Sequence, residues 1–561
     1  MTDAAKTTPD APDFPIIWTN EEDQTRFWAL TGSYMPVPFT PMEQDVLNQS
    51  MILGSNNIMT RFQAGSFNAR FFNGYYYGSS AGDAPVLSPA QYEAVKTEIV
   101  APLIAQFAGS PCADSVAFQA WSEERLAEVK QQLAALARYD FTQPLPTLLD
   151  DLDDACRRVV RIWERHTELL HTLYAISTGF EQFYQDLFGK EGQPYYQLLH
   201  KYEPYMITGN QRLRELSRHI QRQPALATLF LNTAPKDLWS RLEATPEAGP
   251  ILSELQAYLA DYGKQGEVLY LRFPYWAEDP APMLLNLQKQ LALPEHDLAA
   301  ELSRKQQQQA AAVAAARQQL TTYPQPVIDQ FEALLDKAQK ATYMLDEHIY
   351  WIELAPNHHL RQLILAIGRA FQRAGCLEQA ADIFYLHLAE LRPLAAKLAP
   401  PTALIAERTA DLARSQQMTP PPFIGPFPTA MPPANPVMDV AYSFFGTPLP
   451  PSADPTLLVG YGVSPGIAQG PVKVLRSVRE AAKLEPGDIL VTGMTTPAWT
   501  PIFAIVAGII TDSGGMLSHP AIIAREMGIP AVVGISQASS LLHDGQQVLL
   551  NGATGQVRIL E

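Results

Sequence analysis

His519 stands behind two glycines, Gly514 and Gly515, and a serine, Ser518, with Pro520 directly after it. The apolar run Ile509 to Asp512 reads as a strand, and Pro520 to Met527 reads as a short helix. Glycines allow backbone conformations in which N–H groups converge on an anion. Ser518 is placed to cap the helix, and Pro520 lies just inside its start, where a missing N–H costs nothing. The imidazole therefore stands at the positive end of a helix dipole, a place that stabilises negative charge. A neutral imidazole nitrogen is a good nucleophile, and a phosphoryl group attached to it carries the charge such a site accepts. Thr511 and Ser518 are candidate hydroxyl donors to that phosphoryl group. Arg525, two turns further on, is a candidate for one of its oxygens or for packing against an acidic neighbour. On position alone, the same residues also suit a histidine that packs at a helix end.

Chemistry on the acceptor side has fewer markers. His348, in "EHIYWIE", is a candidate general base for a hydroxyl, the role for which imidazole is most used; the alternative is a core or surface histidine. Glu347 precedes it and does not share its helical face. The aromatics Phe71, Phe72, Tyr75, Tyr76 and Tyr77 suit either an apolar acceptor pocket with polar handles, Tyr76 among them, or a core strand. Trp499 is placed to shield a labile P–N bond or simply to fill core. "NHH" at 357–359 reads as a turn before a helix. The three cysteines, Cys112, Cys156 and Cys376, have no metal-ligand spacing, so no metal set is assigned.

These residues need elements to position them. At 561 residues the chain predicts several domains, and 47% hydrophobic content predicts globular packing. A net charge of −17 disfavours nucleic acid as a partner. No apolar run is long enough to span a bilayer, and the polar start "MTDAAKTTPDAPD" has no leader-like apolar stretch; a cytoplasmic protein is the expectation. Residues 1–13 read as disordered. Residues 14–417 read as a mainly helical domain, with an aromatic, partly extended first part. Within 418–455, 12 of 38 residues are proline, which predicts a semi-rigid linker or a hinge. Residues 456–561 alternate short β-branched runs with Gly and Pro turns, the texture of a small α/β domain.

"GGMLSHPAIIAREMGIPAVVG" resembles the phosphohistidine signature of the mobile, swivelling domain of phosphoenolpyruvate-utilising enzymes, with Leu517 and Pro520 replacing the usual Thr and Ala. "SPGIAQGPVKV", "LEPGDILVT" and "TTPAWTPIF" are similar to the same domain in the same order. The resemblance implies that His519 is phosphorylated and that its domain swings between two active sites. "FWALTGSYMPVPFTPM", "FFNGYYYG" and "LADYGKQGEVLYLRFPYWAEDPAPML" resemble the acceptor-binding domain of rifampicin phosphotransferases and of the phosphohistidine subunit of phenylphosphate synthases. Tyr262-Gly263-Lys264-Gln265 stands where many relatives read Tyr-Gly-His-Arg.

The family implies a multidomain fold: a helical acceptor-binding domain, then an α/β swivelling domain. It implies ATP and Mg²⁺, here expected on a separate ATP-grasp subunit, because no Walker-type loop is visible in the sequence. It implies transfer of the β-phosphoryl of ATP to His519, with release of AMP and phosphate, and then to a small hydroxylated acceptor of phenol-like character. An antibiotic, a sugar or a carboxylic acid is the alternative acceptor. A non-catalytic phosphocarrier is the alternative of another class, disfavoured by several hundred helical residues that a carrier does not need.

Overall fold

The computed structural model describes residues 14–30, 35, 37–61, 68–79, 115–189, 195–199, 201–202, 205–266, 269–291, 298–421, 423–426, 452, 454–495, 499, 502–503, 505–516, 518–535 and 537–560. The expected disordered start, 1–13, and most of the proline-rich segment lie outside them.

The helical part is organised by one 44-residue helix, α1, Leu145–Phe188. Its buried residues include Leu148, Leu152, Ala155, Val159, Ile162, His166, Leu169 and Leu173, a stripe at helical spacing with one polar member. Gly189, at φ +77°, ends it in a conformation that favours glycine. Two helices pack along that stripe: α2, Gln325–His348, and α3, Ala355–Arg373. Between them, Ile349–Leu354 is a π-helical turn, in which the Ala355 N–H donates to the Tyr350 carbonyl five residues back. Pro356 explains the widening, since it lacks the N–H that an α-helical ladder would give to Ile352. A second apolar cluster, including Leu213, Phe230, Leu255, Tyr258 and Leu284, fills the space among the helices of residues 205–291.

A four-stranded antiparallel sheet caps the other side. Strands β1, Trp28–Leu30, β2, Asn68–Phe72, β3, Tyr75–Ser79, and β4, Phe423–Ile424, lie in the order β2-β3-β1-β4. Strand β4 belongs to the segment expected to start a hinge at Met418. Its pairing with β1, and the hydrogen bond from the Tyr77 hydroxyl to the Pro421 carbonyl (2.7 Å), tie the first residues of that segment to the N-terminal sheet.

The C-terminal sheet has eight strands: β5, Leu457–Val459, β6, Tyr461–Ser464, β7, Ile467–Val474, β8, Ile489–Thr492, β9, Gly508–Thr511, β10, Ala531–Val533, β11, Gln547–Asn551, and β12, Gln556–Ile559. The order is β5-β12-β11-β7-β8-β9-β10-β6. The pairs β7–β8, β8–β9 and β9–β10 are parallel, and the others are antiparallel. Strands β8, β9 and β10 are buried throughout, as strands covered on both faces must be. Helix α4, His519–Met527, crosses from β9 to β10 and places His519 beyond the carboxyl end of a parallel strand, where sites on such sheets form. The architecture is multidomain, mainly helical with a C-terminal α/β domain. No helix among the described residues is long and apolar enough to cross a membrane.

The α/β domain is seated against the helical part. Arg525 stacks 4.7 Å over the Tyr196 ring, Lys289 Nζ donates to the Leu484 carbonyl at 2.8 Å, and Ile207 and Leu285 pack on the cluster that holds Trp499 and Phe503. A cavity of about 470 Å³ lies along this junction, walled by Pro274, Trp276 and Leu285 on one side and Ile502 and Ile505 on the other.

Candidate active site

The turn before α4 is built by its own small residues. Gly514 has φ +125°, and a Cβ there would fall 2.8 Å from Ser518 Oγ, so the position requires glycine. Ser518 occupies the N-cap position, but its hydroxyl donates to the Gly515 carbonyl (2.8 Å) and makes no cap hydrogen bond. The expected side-chain cap is thus replaced by a brace that closes the turn. The Thr511 hydroxyl likewise donates to the Ser513 carbonyl (2.7 Å). Both hydroxyls are fully buried. In this arrangement both hydroxyls close the loop.

His519 is 7% exposed. Its Nδ1 lies 3.2 Å from the Thr495 hydroxyl, and its ring is 6.5 Å from Phe503. Burial pushes its pKa down to about 3, against the opposing pull of Glu353 and Thr495, so the ring is neutral at physiological pH. Trp499, 3% exposed, belongs to the apolar cluster beside this turn.

Arg525 is committed elsewhere. Its guanidinium donates to the carbonyls of Val463 (3.1 Å) and Met516 (2.6 Å) and stacks on Tyr196 of the helical part. Of the two roles open to it from the sequence, a phosphoryl contact and packing, the packing contacts are the ones present here.

The carboxylate that acts on His519 comes from the helical part. Glu353, on the π turn, accepts a hydrogen bond from His166 Nε2 on α1 at 3.1 Å and lies 3.6 Å from His348 Nε2 at the end of α2. Burial alone would raise the Glu353 carboxyl, but His166 and His348 outweigh it and hold the pKa down to about 2. Burial lowers the pKa of His166, so a neutral imidazole faces a carboxylate. His348 Nδ1 is sealed from solvent, with no hydrogen-bond partner among the described residues. Glu347 points away: its carboxylate accepts from the Tyr205 N–H (2.6 Å) and the Trp351 indole (3.0 Å).

The ligand atoms of His166, His348 and Glu353 lie within 4.8 Å of one another, close enough to hold a metal ion. Two imidazoles and one carboxylate suit a zinc-like ion; they do not suit Mg²⁺, which takes oxygen ligands.

Tyr76 lies in the helical core against Phe71, and burial raises its phenol pKa. Of this aromatic run, Phe72, Tyr75, Tyr76 and Tyr77 are buried and Phe71 is half-buried, so it lies in strand and core. Asn357, His358 and His359 fall inside α3, not in a turn before it. Glu353 and His166 were not singled out from the sequence. The available signal was His166 itself, a polar residue within the buried stripe of α1.

A buried imidazole thus stands at a strand–turn–helix junction, under the electrostatic influence of a carboxylate held between two histidines of the helical part. Residues 484–555 match the family model described as PEP-utilising enzyme, mobile domain. Residues 169–347 match the rifampicin phosphotransferase fourth domain. The chain is 33% identical to chondramide synthase cmdD of Chondromyces crocatus over all of its length and 14% of that protein. It is 24% identical to the uncharacterized phosphotransferase YvkC of Bacillus subtilis, across 96% of the chain and 62% of the relative. It is 28% identical to the rifampicin phosphotransferase of Streptomyces sviceus, across 76% of the chain and 48% of the relative. The chain thus spans between about a seventh and three fifths of the length of these relatives.

Proposed function

We propose that this chain passes a phosphoryl group from His519 to the hydroxyl of a small, phenol-like acceptor. The observation that carries the reading is that the Glu353 carboxylate of the helical domain, 3.6 Å from His348, acts electrostatically on His519 inside its family signature. ATP with Mg²⁺, bound on an ATP-grasp subunit, supplies the phosphoryl group. Thr495 engages Nδ1, so we assign Nε2 as the nitrogen that carries it.

At the acceptor site, the Glu353 carboxylate keeps the His348 proton on Nε2 and leaves the Nδ1 lone pair as the base. The acceptor oxygen attacks phosphorus and its proton passes to Nδ1. The P–N bond breaks, and its electron pair returns to the His519 ring. Glu353 orients the base and stabilises the imidazolium formed, in the manner of nucleophile–base–carboxylate constellations. Burial keeps water from the labile P–N bond. The swing between two sites, with 418–455 as its hinge, is part of this reading. Docking of the α/β domain on the helical one corresponds to the acceptor half-reaction.

The test is intact-mass analysis after incubation with ATP, Mg²⁺ and an ATP-grasp subunit, followed by a screen of phenols, sugars and carboxylic acids. We expect an acid-labile phosphoryl adduct, absent in His519→Ala, that a phenol discharges. An adduct that persists in the variant refutes the assignment of His519, and one that no hydroxyl compound discharges favours a phosphocarrier.

A further inference from the structure

One face of the helix Ala281–Leu291 lines the cavity at the domain junction: Pro282, Leu285, Asn286 and Lys289, at the i, i+3, i+4 and i+7 spacing of a single stripe. The stripe changes character along its length, from apolar Pro282 and Leu285 to polar Asn286 and Lys289. Pro274 and Trp276 extend the apolar wall on the helical side, and Ala481, Ile502 and Ile505 close it from the α/β domain. Asn286 is 6% exposed, yet its carboxamide makes no hydrogen bond among the described residues. Lys289 Nζ gives one N–H to the Leu484 carbonyl at 2.8 Å; an ammonium has others to give. The remaining polar lining residues are differently placed. Lys236 is exposed, and the Asp279 carboxylate accepts from the Ala281 N–H at 3.1 Å.

A carboxamide removed from water and left without a partner costs free energy, and buried polar groups are nearly always paired. The partner of Asn286 has to come from the cavity that it lines. Water can supply one, but water gains nothing from walls of Trp, Leu, Ile and Pro, whereas an apolar ring does. At about 470 Å³ the space falls within the range of small-molecule sites, which join apolar walls to a few placed polar groups.

We propose that the junction cavity binds a small aromatic molecule through a carbonyl oxygen, that of a carboxamide or a carboxylate. The oxygen accepts from the Asn286 amide and the Lys289 ammonium, and the ring lies on the apolar walls. None of the lining residues takes part in phosphoryl transfer, so the inference does not rest on the phosphotransferase reading. The two walls belong to different domains. An occupant therefore binds the docked arrangement and holds it: at roughly ten times its dissociation constant, docking is favoured about tenfold.

The test is calorimetry of the full chain with 2-naphthamide and, separately, with 2-naphthoate. It is run on the unmodified protein, on Asn286→Leu, and on Leu285→Trp and Ile505→Trp, which fill the cavity from one domain and from the other. We expect at least one probe to bind with a dissociation constant of about 1 mM or tighter. Binding should be about tenfold weaker in Asn286→Leu, as loss of a buried hydrogen bond implies, and abolished in both filling variants. Binding by the amide alone assigns a neutral carbonyl; binding by the acid alone assigns a carboxylate held by Lys289. Hydrogen exchange on the unmodified chain guards against misfolded variants. At saturation, peptides that contain Leu285–Lys289 and peptides that contain Ala481 or Ile505 should both exchange more slowly. Binding by neither probe, affinity unchanged in Asn286→Leu or in either filling variant, or slowed exchange in only one wall or in neither would overturn the proposal.

Discussion

Lowering the pH should drive the α/β domain off the helical domain, and His519 should account for a defined part of the effect. In the docked arrangement its pKa lies at about 3, whereas a solvated imidazole titrates near 6.5. The groups facing it are Glu353, which raises its pKa, and behind that His166 and His348. Burial outweighs them. A group whose pKa is depressed by docking binds its proton more readily in the undocked state, so protonation favours undocking. The effect is absent well above pH 6.5 and grows as pH falls towards 3. From the linkage of protonation to conformation, the docking equilibrium loses about tenfold, or ~1.4 kcal/mol, by pH 5.5. It loses roughly another tenfold at pH 4.5. Small-angle X-ray scattering between pH 7.5 and 4.5 reads docking as the radius of gyration. His519→Gln, which cannot take up the proton, is the reference, because other buried histidines titrate in both proteins. The unmodified chain should expand at higher pH than the variant. Superimposable curves would mean that docking does not desolvate His519, and the reasoning would fail.

Two further outcomes follow from the site. His348→Gln and Glu353→Gln should leave phosphorylation of His519 within about twofold while slowing discharge to the acceptor by roughly 10²–10⁴, the range for loss of a general base; discharge that is lost on chelation and restored by zinc would instead make the trio a metal site. Tyr196→Ala removes the face on which Arg525 stacks and should weaken docking by ~0.5–2 kcal/mol, seen as a larger radius of gyration at neutral pH; an unchanged radius would show that this stack contributes nothing.

The division into a helical part and a C-terminal α/β domain was legible because its signals are local. Apolar spacing marks α1 and α3, and β-branched runs between Gly and Pro mark β8 to β10. The strand–glycine–histidine–helix unit was legible for the same reason. Side-chain direction was not. Thr511 and Ser518 have hydroxyls of the right type in the right loop, yet each donates to a carbonyl only two or three residues away. Short hydroxyls in tight turns commonly do this, and sequence spacing cannot tell it from anion binding. Glu353 was hidden for a different reason. Its partner His166 is 187 residues away, and its orientation depends on a π turn. At α-helical spacing, Glu353 would lie five residues, or about 500° of rotation, from His348, well off its face. The wider turn forced by Pro356 brings the two together.

The residues of the signature divide by function in a way the geometry makes plain. Gly514, Ser518, Thr511 and Arg525 satisfy or brace backbone and fix the direction of α4. His519 is the member of the signature on which the Glu353 carboxylate of the other domain acts. On the proposed reading, the α/β domain brings the nucleophile His519, and the helical domain brings the Glu353 carboxylate and the His348 base. Neither has the full set alone. Arg525 belongs to both descriptions: it ties Val463 and Met516 within the α/β domain and stacks on Tyr196. The contact that holds the histidine loop in shape is therefore also one that registers docking. On the proposed phosphotransferase reading, this couples the geometry of His519 to docking at the acceptor site without any residue having to move on its own.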